Sequence, residues 1–79
     1  MANPNWVVKE VLPHKDYSLT ITFEDGKVKT FDAKVLLSKP FFSSLNNIDF
    51  FMKAYADGMT VAWSEDIDIA PEYLYDNSV

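Results

Sequence analysis

Tyr17-Ser18-Leu19-Thr20-Ile21-Thr22-Phe23-Glu24-Asp25-Gly26 is the stretch that decides the fold. Tyr17, Leu19, Ile21 and Phe23 alternate with Ser18, Thr20, Thr22 and Glu24, the period of two that marks a half-buried strand. Asp25-Gly26 then predicts a hairpin, because glycine takes positive φ without a Cβ clash. Residues 27–32 supply the return strand. Its apolar residues, Val28 and Phe31, are three apart and cannot both face inward on a regular pleat, so a bulge or an early exit is expected.

Upstream, residues 6–12 carry Val7, Val8, Val11 and Leu12 and read as a first strand ended by Pro13. Downstream, residues 33–37 are apolar but cannot extend past Pro40, which predicts a helical turn covering a sheet edge. Phe41, Phe42 and Leu45 follow as an irregular packed connection. Asn47 can cap a short helix from residue 48 to about 52, with Asp49 complementing its dipole. Asp57-Gly58 separates residues 53–56 from 59–63 and repeats the hairpin chemistry, so two hairpins of one sheet are predicted. Pro71 suits the first turn of a closing helix, Glu72 its positive end, and Leu74 or Tyr75 would tie it to the core. The fold class is α+β: a small, mostly antiparallel sheet built from two Asp-Gly hairpins plus an N-terminal strand, with short helices including a C-terminal one. Residues 1–79 form a single domain.

At 79 residues, one core must serve every element, and such a core supplies only a few kcal/mol of net stability. The absence of cysteine excludes disulfides, thiolate zinc sites and cysteine nucleophiles. The net charge of −5, from 12 acidic against 7 basic residues, argues against a nucleic-acid binder. No run is long enough for a membrane span, and Met1-Ala2-Asn3-Pro4-Asn5 lacks the regions of a signal peptide, so a cytoplasmic protein is expected. The six Phe, four Tyr and two Trp are many for a core this small. Either all of them pack inward or the surplus forms a surface for self-association or a partner.

No constellation of catalytic residues emerges. Glu65, Asp66, Asp68 and Glu72 are the densest carboxylate group, but their spacing fails the EF-hand loop, since Ile69-Ala70-Pro71 interrupts and no glycine follows. Asp66 and Asp68 would share a strand face as an acid–base pair, yet nothing nearby splits their pKa values. His14, the single histidine, reads as a solvated turn residue. No serine sits in a nucleophile elbow. Both glycines are accounted for by hairpin turns, which excludes phosphate-cradling loops. Lys27, Lys29, Lys34 and Lys39 give a mild basic bias that reads as strand solubilisation rather than a nucleic-acid patch. No cofactor, metal or catalytic residue is expected.

Two stretches carry a resemblance: Tyr17-x-Leu19-x-Ile21-x-Phe23-x-Asp25-Gly26 with Phe31-Asp32, and a closing signature of Trp63, Asp68, Ile69, Pro71, Glu72, Leu74 and Tyr75. They resemble the short prokaryotic family called domain of unknown function 2442, over nearly the whole chain. Relatives often place glycine in the turn where this chain has Asp66. The resemblance implies a compact α+β domain in a family without established enzymatic activity, so no catalytic residue carries over. Longer relatives append a helix-turn-helix domain and others resemble small partners in toxin–antitoxin-like pairs; this chain, ending at Val79, is expected to lack a DNA-binding half.

Physically, Trp63, Asp68, Pro71, Glu72, Leu74 and Tyr75 read as a structural latch in which Asp68 accepts backbone N–H groups at the helix entry and Leu74 and Tyr75 return to the core. The alternative is a recognition groove lined by Trp63, Tyr73 and Tyr75 with Asp68. The functional expectation is a non-enzymatic protein-interaction or regulatory accessory module, self-associating or paired with a small cytosolic protein. The alternatives are a small-ligand binding domain and, less favoured, a nucleic-acid accessory protein.

Overall fold

Leu19, Ile21 and Phe23 are fully buried along strand β2 (Ser18–Phe23) while Ser18, Thr20 and Thr22 are half-exposed, as their alternation requires. The computed structural model describes residues 6–79; the Met1-to-Asn5 run, read above for a leader, lies outside the described residues. β2 is the centre of an antiparallel sheet, between β1 (Val8–Pro13) and β3 (Val28–Asp32). Gly26 turns the β2–β3 hairpin at φ +88°, and the Asp25 carboxylate accepts the Lys27 N–H at 2.9 Å.

The bulge expected in β3 is absent, because the β2–β3 register runs unbroken from Ser18↔Asp32 to Thr22↔Val28. Phe31 takes the core and Val28 is simply left outside, 63% exposed. The irregularity sits instead in β1, between Val8 and Glu10. β1 ends at Pro13 as its sequence predicts, with Pro13 closing the strand opposite Leu19. His14 N–H donates to Ser18 at 2.9 Å, so the alternation turns the nitrogen of Pro13 away from β2, where no ladder bond is lost.

A second correction concerns the sheet count. The strands divide into two three-stranded antiparallel sheets, the second running β4 (Tyr55–Ala56), β5 (Val61–Ser64), β6 (Ile67–Asp68). Val8 N–H donates to Met59 C=O at 2.8 Å across the gap between the sheets. β6 goes beyond the expected elements: Glu65 and Asp66 form the turn of a further hairpin, β5–β6, which the carboxylate-rich composition disguises as a plain loop. The second Asp-Gly hairpin is present, with Gly58 at φ +104° and the Asp57 carboxylate accepting from Met59 and Thr60 N–H.

Between the sheets the chain runs through a 3₁₀ turn (Ala33–Leu36) capped by the Asp32 side chain, a second 3₁₀ segment (Pro40–Asn46), and helix α1 (Ile48–Phe51), whose Asn47 cap accepts the Asp49 N–H at 3.0 Å. Tyr17 is a bulky residue at φ +68°, a conformation costing roughly 1–2 kcal/mol. Its ring packs 4.7 Å from Phe51 and its hydroxyl donates to Asn46 C=O at 2.9 Å, which hold it there. Helix α2 (Pro71–Asn77) closes the domain, and Val79 exchanges both backbone hydrogen bonds with Thr30 on the outer edge of β3. No helix among the described residues is long and apolar enough to cross a membrane.

Candidate functional site

Helix α2 sends its aromatic side chains in two directions. Each residue turns a helix by about 100°, so Tyr73 and Tyr75 lie on opposing sides of Leu74, which is fully buried between them. Tyr75 points to the first hairpin. Its ring meets Phe23 edge-on at 4.9 Å, Lys29 Nζ stands 3.8 Å over its centroid, and its hydroxyl donates to Asp25 Oδ2 at 3.1 Å while accepting from Lys27 Nζ at 3.2 Å. Lys29 also donates to the Tyr75 carbonyl at 3.0 Å. The Lys27 N–H, and after it the Tyr75 hydroxyl, hold the Asp25 carboxyl below its ordinary range, and the bond to Tyr75 raises Lys27. Two of the four lysines that read as strand solubilisation, Lys27 and Lys29, are thus engaged in a clamp between hairpin and helix.

Tyr73 points the other way. Its ring packs edge-on to Phe31 at 5.9 Å and lines a recess of about 200 Å³ shared with Leu36, Lys39, Phe42, Ile69 and Ala70. Asp68 stands at the same recess, whose wall is almost wholly apolar. Behind it runs a chain of aromatic rings. Exposed Phe41 meets Phe42 edge-on at 4.9 Å, Phe42 meets Trp63 at 6.2 Å, Trp63 tilts against Phe51 at 6.1 Å, and Phe51 packs on Tyr17. Trp63 satisfies its indole N–H on Phe51 C=O at 3.0 Å, so a large side chain is buried without an unpaired polar atom. Pro40 at the start of its 3₁₀ segment fixes the backbone φ just before Phe41.

The residues of the closing signature therefore separate. Trp63 is core and supports the recess from behind rather than lining it. Leu74 is core. Tyr75 belongs to the clamp, away from Asp68. Pro71 occupies the first helical turn and Glu72 follows it, exposed. Asp68 does not cap α2, a correction to the latch: the N-cap position is Ala70, without a side-chain hydrogen bond, and Asp68 is an exposed residue of β6. Its position accounts for this: Asp68 ends β6 two residues before the N-cap position, out of line with the N–H groups of Glu72 and Tyr73 that a cap would accept. Of the groove residues, the structure brings Asp68 and Tyr73 together and leaves Trp63 behind and Tyr75 outside. Leu36, Lys39, Phe42, Ile69 and Ala70 were missed as lining residues. Only the neighbouring Phe41-Phe42 pair, too apolar for an exposed connection, signalled them.

A broader concavity of about 570 Å³ lies where the outer face of β1 and β2 meets β4, lined by Glu10, Leu12, Thr20, Thr22 and Tyr55 among others. His14 is half-buried rather than solvated, its Nε2 2.8 Å from Thr20 Oγ1. Asp16 beside it is held below the ordinary carboxylate range by the Ser18 hydroxyl and N–H. Among the described residues no three His, Asp or Glu side chains converge as a metal-ligand set.

The family model for the protein of unknown function DUF2442 matches residues 8–79, and the chain belongs to this family. None of the curated proteins and none of the solved structures matches it.

Proposed function

We propose that this member of the DUF2442 family is a non-enzymatic protein-interaction module that anchors a partner through one bulky apolar side chain. The observation that carries the reading is the recess at Tyr73. A dry apolar cavity of about 150 Å³ accepts benzene, so about 200 Å³ suits a single phenyl or isobutyl group. Sites for drug-sized molecules run from about 300 Å³ upward. Exposed Phe41 at its border and the charges of Lys39 and Asp68 give the aromatic centre and polar rim typical of interfaces.

Such a module suits a regulatory accessory role in a bacterial cytosolic system. Titration of the isotope-labelled protein with N-acetyl-L-phenylalaninamide tests the reading. Saturable shifts of the Ile69, Ala70 and Tyr73 amides are expected; shifts confined to other regions, or none, contradict it. A second reading, small-molecule binding, draws on the concavity at β1, β2 and β4, whose volume lies in the small-molecule range. It requires ligand-dependent shifts at Thr20, Thr22 and Tyr55.

A further inference from the structure

We infer that the side chain the recess accepts is Phe41 of a second copy of this chain, in a reciprocal two-fold dimer; this rests on the anchoring function proposed above. Phe41 is 58% exposed and does not line the recess of its own molecule, yet its ring packs edge-on with Phe42, which does. A knob and a hole of matching size therefore share one face. That is the requirement of an isologous interface, in which the same patch must be complementary to itself. A foreign partner would require only the hole.

The charges on this face repeat the pattern. Lys39 and Asp68 both stand at the recess with opposite sign. A two-fold axis through the patch brings each Lys39 toward the partner's Asp68 as each Phe41 enters the facing recess. Like charges would meet if the patch carried one sign only, and repulsion there is costly. Pro40 and the edge-on contact with Phe42 hold the Phe41 knob in place before association, so little side-chain freedom is lost on docking. A 79-residue chain without cysteine is also of the size that commonly gains stability by oligomerisation.

Sedimentation equilibrium over a concentration series, on the full chain, tests the dimer. Wild type is expected to move from monomer to twice that mass as concentration rises. Phe41→Ala should weaken this by about 30-fold or more, as for a central aromatic hot spot. Ala70→Phe, which fills the hole and leaves the knob intact, should weaken it comparably. Lys39→Glu and Asp68→Lys should each weaken it, and the double variant should recover it. Circular dichroism of each variant checks that the fold is kept. A wild type that stays monomeric throughout overturns the dimer, as does a dimer indifferent to both Phe41→Ala and Ala70→Phe. The N-acetyl-L-phenylalaninamide titration, run on Phe41→Ala so that no intrinsic side chain competes, separates the two readings. Binding at Ala70 with a monomeric wild type retains the anchor and assigns it to another protein, whereas no binding removes the anchoring function itself.

Discussion

Tyr73 and Tyr75 share a seven-residue helix and meet opposite surroundings. Every part of Tyr75 is engaged: ring edge against Phe23, ring face under Lys29, hydroxyl between Asp25 and Lys27. Tyr73 packs edge-on to Phe31 and against the core, and it also lines the apolar recess. The difference teaches that the latch and the recognition surface proposed for this closing segment draw on different residues. One side of α2 fastens the fold and the other borders an apolar recess that the described residues leave open, with Leu74 as the pivot between them.

Removing the pivot should have the largest effect. Leu74→Ala empties a fully buried site and is expected to cost about 2–5 kcal/mol in urea unfolding, loosening both sides together. Next, Tyr75→Ala removes an aromatic pair worth about 0.5–1.5 kcal/mol beyond its area and a cation–π contact worth about 0.5–1 kcal/mol. With its buried area included, a loss of about 2 kcal/mol or more is expected, whereas Phe41→Ala at low concentration, an exposed residue with one ring pair to lose, should cost about 0.5–1 kcal/mol. Equal losses would erase the distinction between the two sides.

Asp68→Ala sharpens the comparison further. A helix cap would cost about 0.5–2 kcal/mol; with Asp68 exposed and α2 capped at Ala70, the unfolding midpoint should stay within experimental error. The smallest effect is on acid sensitivity. Asp25 has a lower pKa folded than unfolded, so its contribution is complete above the ordinary Asp range and is lost as pH falls through the lowered value. Below about pH 4, Asp25→Asn should therefore lose less stability relative to neutral pH than wild type, and a thermal-melt series across that window reads the difference.

Much of this was legible in the residues. The alternation from Ser18 to Phe23 and the two Asp-Gly turns specify strands and hairpins by local rules, and Asn47 announced its cap. What local rules do not carry is which strands pair with which. Two short sheets, linked by a hydrogen bond from Val8 to Met59, use the same strand signals as one sheet. The β5–β6 hairpin was hidden because Glu65-Asp66 lacks the glycine that marks the other turns. The candidate site was half visible: Asp68 and Tyr73 stood out as an acid beside aromatics, but the helical rotation that parts Tyr73 from Tyr75, and the long-range meeting of Leu36, Phe42 and Ile69, exist only after folding.

The central claim, that α2 fastens on one side and receives on the other, is tested most directly by amide spectra of the labelled wild type from dilute to concentrated solution. Shifts gathered at Phe41, Phe42 and residues 68–73, with Asp25, Lys27, Lys29 and Tyr75 unmoved, are the predicted result. Shifts centred on the Tyr75 clamp, or spectra that do not change with concentration, would contradict it.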